Sequence, residues 1–343
     1  MSAEKTQNSG ISSAENFKGA ALMALSQAAF VFNDAFMKLA SADLSLFQTI
    51  FLRGLFTTFF LGLIALKIMG GPRALVRPLS KPDRKILSLR VVGEVGATLC
   101  YLTALFNMPI ANSTAILQAL PLAVTLGAAL FLGETVGWRR YSAIAVGFIG
   151  VLIIVRPGAE GFNAYSFWAL AAVVFIVLRD LVTKKISNEI PSIYVALLTS
   201  IALTVTAGVL LPTSGWQAVE IKPIGYLTGA GCLLMVGYLS VIAAMRTGEI
   251  SFVSPFRYTI LIWAILLGFF VFGDLPDKWT IIGSLILVAT GGYTFYREHK
   301  LNKCLASEQL HHDTVDLGDL GDWPEKTTKL ETELEKAEEL SNR

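Results

Sequence analysis

Long apolar runs, broken by short links that carry glycine, proline and basic residues, dominate the chain from residue 18 to residue 297. Four of them read "FQTIFLRGLFTTFFLGLIAL", "ILQALPLAVTLGAALFLG", "YSAIAVGFIGVLIIV" and "IIGSLILVATGGYTFY". Each approaches the roughly 20 residues that a helix needs to cross a hydrocarbon core of ~30 Å. Lipid offers the backbone no hydrogen-bond partners, so such runs must close their own bonds as helices. The alternating segments of about ten residues that mark a membrane barrel are absent. The pattern predicts an all-α polytopic membrane protein with ten transmembrane helices, over 18–40, 46–66, 86–106, 111–132, 140–156, 163–183, 192–211, 224–245, 251–272 and 279–296. Residues 1–16 are polar and hold no apolar stretch followed by a small-residue cleavage site, so the first span is expected to be the insertion signal.

Composition agrees. Hydrophobic residues make up 54% of the chain and charged residues 16%, against about a quarter charged in soluble domains. The basic residues are unevenly placed. Links after even-numbered spans hold Lys67, Arg73, Arg77, Lys81, Arg84 and Lys85, then Arg139 and Arg140, then Lys184 and Lys185, then Arg246. The other links offer little beyond Arg156, Lys222 and Lys278. Basic links stay on the cytoplasmic side, so the expected protein is a multi-pass protein of the cell inner membrane with both termini cytoplasmic. After residue 298 the chain turns acidic and poor in apolar anchors, as expected of a disordered cytoplasmic tail.

The candidate chemistry is narrow. All three histidines (His299, His311, His312) follow the last span, and Cys100 and Cys232 sit in apolar runs. His311 and His312 are adjacent, but a solvated tail accounts for them more simply than a metal. No embedded nucleophile–base set, no metal set and no phosphate-binding GxxxxGK[ST] loop is present. The expectation is therefore no enzyme, no ATP drive, no cofactor, no metal and no nucleic acid. The expected partners are the lipid bilayer and a small-molecule substrate, with monomer and homodimer both compatible.

Two segments resemble each other. "ALFNMPIANSTAILQALPLAVTLGAALFLGE" begins at Ala104 and "AMRTGEISFVSPFRYTILIWAILLGFFVFGD" at Ala244. In that register Gly133-Glu134 falls on Gly273-Asp274, and, one residue shifted, Trp138 falls on Trp279. At the head of each half, "VFNDAFMK" matches "VLRDLVTK", placing Asp34 on Asp180 and Lys38 on Lys184. Five spans per half is odd, so the second half enters the membrane inverted. Inverted repeats place substrate sites near the midplane between the halves.

At these residues the chain resembles the drug/metabolite transporter superfamily, EamA type, with two five-helix repeats. The carriers are "FNDAFMK", "LFQTIFLRG", "ILQALPLAVTLGAALFLGE" and "SPFRYTILIWAILLGFFVFGD". The resemblance implies an N-terminal segment over 1–17, one repeat over 18–156, a second over 157–297 and a tail over 298–343 outside the family pattern. It also implies a secondary transporter that works by alternating access. The series "NDxxxK…LFQxxFLRG…LRDLxTK…FRYT…FGD" is most similar to a subgroup described as riboflavin or S-adenosylmethionine uptake carriers. Riboflavin uptake is the leading expectation, with S-adenosylmethionine uptake or amino-acid or drug export as alternatives. A membrane enzyme or sensor is the alternative of another class, but no catalytic set is visible and the tail is too short for a signalling domain.

An ionisable side chain at membrane depth costs at least ~2.5–3.5 kcal/mol and is a functional candidate by default. The expected substrate contacts are Arg53, Glu94, Arg257 and Tyr258, with Asn33 and Gln118 as hydrogen-bond partners. Arg257 has no acid within one turn, and its guanidinium offers a planar donor fork for carboxylate, phosphate or imide oxygens. The pairs Asp34–Lys38 and Asp180–Lys184, with Arg179, are expected to gate opposite faces. The plainer readings are helix-end pairs with snorkelling lysines and an i,i+4 pair between Arg90 and Glu94.

Overall fold

The computed structural model describes residues 13–71, 80–133, 137–157, 163–183, 185–187, 190–247, 250–294 and 296. The chain divides into two compact units, Met1–Gly291 and Gly292–Arg343. The tail over 298–343, the tail histidines and Lys184 lie outside the described residues.

The described chain is helical. Its helices are α1 (Ser13–Ala40), α2 (Leu46–Met69), α3 (Lys81–Asn107), α4 (Ile110–Leu117), α5 (Leu120–Leu132), α6 (Trp138–Val155), α7 (Ser166–Thr183), α8 (Ser192–Ser214), α9 (Ile221–Thr247), α10 (Ile250–Val253) and α11 (Thr259–Leu267). A helix over 278–294, α12, follows. Eight spans are long and apolar enough to cross a membrane, and Tyr141–Val155 is a shorter apolar helix. With α12 these account for the ten predicted runs.

Local chemistry sets the ends. Ser45 caps α2 by accepting from the Gln48 amide, and Gly70 closes it at φ 79°. Ser80 caps α3 by accepting from the Asp83 amide. These groups satisfy backbone donors and carbonyls that a helix leaves open at its termini.

Two spans are interrupted where the sequence pattern predicts continuous helix. In the fourth, Pro121 has no N–H for the carbonyl of Leu117. The chain tightens there, with Gln118 N–H on Ala115 O and Ala119 N–H on Ile116 O. In the ninth, Pro255 opens a 3₁₀ turn, Ser254–Tyr258, before α11. The repeat register places Gln118 on Tyr258, so the two breaks are equivalent. The spans also end alike: Gly133 caps α5 and Gly273 follows the π turn Gly268–Phe272, both at φ 70°. Only glycine takes that left-handed conformation without steric cost.

Packing repeats the relation. α1 lies on α9 as α3 lies on α7, α2 meets α8, and α1 meets α11 as α7 meets α5. Exchanging the two five-span halves maps this set of pairs onto itself. Between helices in lipid, close approach by small residues replaces the hydrophobic drive. A Cβ on Gly237 would lie 2.7 Å from the Phe30 ring, and one on Gly96 would lie 2.6 Å from the Phe175 ring. Each half thus lays a phenylalanine of its first span on a glycine of the other half's third span. α6 and α12 approach most closely at Gly150 and Gly283, where a Cβ on Gly283 would stand 2.5 Å from the Gly150 carbonyl oxygen.

α1 is the inside helix. Of its most apolar window 56% is buried, against 22% for α2. This places the polar residues of α1 between the halves.

Candidate functional site

Seven charged side chains from five elements build a charged group inside the bundle. Gly93 lets α7 close on α3, since a Cβ there would meet the Arg179 backbone and Cβ at 3.0–3.1 Å. That approach brings Arg179 Nη1 to 3.3 Å from Glu94 Oε2, while its Nε donates to Asp180 Oδ1 at 2.8 Å. Arg90, one turn before Glu94, stands 4.0 Å from the same Oε2. Its other nitrogens donate to the hydroxyls of Thr183 and Thr199. The expected Arg90–Glu94 pair is therefore the long arm of a wider network centred on Glu94 and Arg179. Arg257, on the 3₁₀ turn, is exposed and lies in the field of Asp180.

Deeper in, Asp34 accepts from Tyr101 Oη at 2.6 Å through Oδ2 and from Asn33 Nδ2 at 2.9 Å through Oδ1. Arg53 on α2 feels Asp34, Glu94 and Tyr238 electrostatically but touches none of them. Arg53 and Arg257 thus stand at membrane depth without a hydrogen bond or ion pair among the described residues. Four guanidiniums (Arg53, Arg90, Arg179, Arg257) face three carboxylates (Asp34, Glu94, Asp180), so the group carries one positive charge more than it balances.

This group opens toward one end of the bundle. At the end formed by the 41–45, 107–110, 215–220 and 273–277 links, Met37, Ala40, Leu44, Leu105, Ile110 and Leu267 belong to one buried core. Gln48, fully buried, donates through Nε2 to Gln217 O at 2.7 Å and accepts from Gln217 N–H at 3.0 Å. Lys38 donates to the Met108 carbonyl and stands 5.2 Å from the Phe272 ring. Toward the opposite end, where α2 ends and α3 begins, Tyr238 is 53% exposed although it sits among Glu94, Arg179 and Arg53. Asp180 and Arg257 are solvent-reached on the same side.

Several sequence expectations are revised. Asp34 and Lys38 do not pair. Met108 precedes Pro109 and is extended, leaving its carbonyl outside α3 and free to take the Lys38 ammonium. Asp180 pairs with Arg179, and the Asp180–Lys184 expectation falls on a residue outside those described. Tyr258 is buried and packs on Gly291 of α12. It lines a cleft of about 400 Å³ with Pro255, Phe256, Leu261, Leu285 and Val288. That cleft is almost wholly apolar and holds none of the charges above. Gln118 is buried and gives its amide N–H to Thr114 O of its own helix. The structure brings together Arg53, Glu94, Asn33, Asp34, Arg179, Asp180 and Arg257, and leaves Tyr258, Gln118 and Lys38 outside the group.

Tyr238 and Gln48 belong to the picture although the sequence pattern did not single them out. A tyrosine in an apolar run reads as packing. Only the edge-on contact with Phe30, at 5.4 Å and 79°, and the charges around it mark Tyr238 as part of the site. Gln48 carried a signal, as an amide in an apolar span. Among the described residues no cluster of three or more His, Cys, Asp or Glu side chains is placed to hold a metal ion.

Comparison with known proteins agrees with this architecture. A riboflavin transporter of Vibrio cholerae is 31% identical over 218 residues, covering 63% of this chain and 72% of its own. An S-adenosylmethionine uptake transporter of Rickettsia conorii is 27% identical over 56% of this chain, and the match spans 65% of that relative, just under two thirds of its length. A pseudopaline exporter of Pseudomonas aeruginosa is 25% identical over 79% of this chain and 93% of its own. One crystal structure superposes with a TM-score of 0.51 over 81% of this chain and 96% of its own, at 17% identity, a likeness of fold alone. The EamA-like transporter family matches residues 17–156 and 163–292, one match per half, and the chain belongs to that family.

Proposed function

We propose that this protein is a secondary carrier that moves a small, polar, partly planar metabolite across the membrane by alternating access, with riboflavin uptake as the leading reading. The observation that carries it is the pair of guanidiniums, Arg53 and Arg257, that have no hydrogen bond or ion pair among the described residues. A cation left without a partner at membrane depth is expensive, and a substrate that brings acceptor oxygens removes that cost. The flat isoalloxazine head of riboflavin offers carbonyl and imide oxygens in one plane, which suits a guanidinium fork. The exposed ring of Tyr238 is a surface against which such a head can stack. The riboflavin relative supports the same choice.

S-adenosylmethionine uptake is the second reading, favoured by the Rickettsia relatives. The excess positive charge of the group weighs against it, since the sulfonium is itself cationic. The basic links support a protein of the inner membrane with both termini and the tail over 298–343 in the cytoplasm. On that orientation the charged group is open to the cytoplasm and Lys38, Gln48 and Gln217 close the outer end.

Entrance counterflow into proteoliposomes separates the substrates. Vesicles loaded with unlabelled riboflavin are expected to take up labelled riboflavin transiently, and vesicles loaded with S-adenosylmethionine to show no exchange of that compound. Exchange of S-adenosylmethionine without riboflavin exchange reverses the order of the two readings. Exchange of neither, in folded protein, rejects both.

A further inference from the structure

We infer that Asp34 binds a coupling proton during the transport cycle, within a hydrogen-bond cluster built to satisfy both of its protonation states. The inference rests on the carrier reading above. As a carboxylate, Asp34 accepts from Asn33 Nδ2 and from Tyr101 Oη. Among the described residues, two buried acceptors beside this cluster have no hydrogen-bond partner: Asn33 Oδ1 and Thr114 Oγ1. Thr114, with Ser113, lies against the Tyr101 phenol.

Each orphan has a use once a proton arrives. The neutral carboxyl must donate one hydrogen bond. It donates to the Tyr101 oxygen if the phenol O–H turns to Thr114 Oγ1. Alternatively it donates to Asn33 Oδ1 if the amide rotates by half a turn, which breaks no other bond because that oxygen has none. Buried polar atoms are normally paired, so two orphans flanking one carboxyl point to a second arrangement of the same groups.

Glu94 lacks this property. Its oxygens face Arg179 and Arg90, so a proton there breaks ion pairs instead of exchanging hydrogen bonds.

The other groups around Asp34 give the coupling its sign. Arg53 faces it from α2, Tyr101 from α3, and Tyr238 from α9 by way of Arg53. Lys38 on its own helix is turned to Met108, and Arg257 on the 3₁₀ turn lies in the field of Asp180. α10 and α11 carry no titratable residue. A proton on Asp34 removes the charge that faces Arg53, and so frees that guanidinium for substrate oxygens. Proton and substrate therefore bind together, and each raises the affinity for the other by the same factor. The proton enters from the water on one side and leaves, with the substrate, to the other.

Two measurements on the full chain test this. Infrared difference spectra against pH, recorded in lipid nanodiscs without substrate, are expected to contain a protonated-carboxyl band that disappears in Asp34→Asn and is displaced along the pH axis in Tyr101→Phe. In proteoliposomes, an inward proton gradient is expected to concentrate labelled riboflavin. Asp34→Asn is expected to lose that accumulation, and whatever riboflavin counterflow it retains to be independent of pH. Over the titration range wild-type affinity rises by up to about tenfold per pH unit lowered, and the Asn variant shows no such rise. A carboxyl band that survives intact in Asp34→Asn overturns the proposal, as does gradient-driven accumulation by that variant. Absent riboflavin counterflow with the band assigned to Asp34 rejects the substrate reading and leaves the proton site standing.

Discussion

Lys38 gives its ammonium to the carbonyl of Met108, at the end of α3, and not to Asp34 one turn before it on α1. This contact, with the Gln48–Gln217 pair, holds α1, α2, α3 and the 215–220 link together at the closed end. A hydrogen bond to a charged group contributes ~1.5–3 kcal/mol, enough to move a two-state equilibrium about 10–100-fold. Lys38→Met should therefore populate the conformation open at the 41–45 end. A cysteine placed at Phe272, in a background without the native cysteines, should label faster from that side in the variant. Unchanged labelling would make the Lys38 contact mere helix-end chemistry.

Phe30 and Gly237 define the closest packing of α1 on α9, and Phe175 and Gly96 repeat it in the other half. Overpacking of this kind costs typically ~1–3 kcal/mol. Gly237→Ala and Gly96→Ala should each lower the thermal unfolding temperature in detergent. Phe30→Ala should restore Gly237→Ala but not Gly96→Ala, and Phe175→Ala the reverse. Cross-rescue, or no cost in either glycine variant, would contradict the paired contacts.

Asp277 sits in the link before α12, outside the spans. Burial pushes its carboxyl up, but hydrogen bonds from the Thr280 side chain and amide, with Arg156, outweigh this and hold it below the usual 3.8. Arg156 pairs with it from the end of α6 and takes the left-handed conformation at φ 48°. A carboxyl lowered by folding stabilises the fold fully above its unfolded value and loses that contribution as pH falls through the folded one. Asp277→Asn should lower the unfolding temperature near neutral pH and lose less than wild type on acidification below 3.8. Equal acid sensitivity in the two proteins would place the effect elsewhere.

Hydropathy located the spans because lipid leaves the backbone no alternative to helix. The duplicated Gly-Glu and Gly-Asp ends of the fourth and ninth spans were visible for the same kind of reason, since a left-handed cap favours glycine. The charges at depth stood out by their cost alone. Their partners did not. The spacing of Asp34 and Lys38 suits an i,i+4 pair, and only the three-dimensional position of the Met108 carbonyl, stranded before Pro109, redirects the lysine. Tyr258 next to Arg257 reads as a site neighbour, but the 3₁₀ turn rotates its ring onto Gly291. Tyr238 is a single aromatic among many, and its place among four charged side chains is set by packing between halves more than a hundred residues apart.

Arg257 offers the most direct test of the substrate site. Arg257→Gln and Arg257→Lys should insert and unfold as wild type does, because the side chain makes no hydrogen bond or ion pair with the described protein. Riboflavin counterflow should fall about 10–100-fold in both, the range of one lost charge-assisted contact. The lysine variant fails as well, since a point charge cannot reproduce the planar fork. Wild-type counterflow in folded Arg257→Gln protein would contradict the assignment of this charged group as the substrate site.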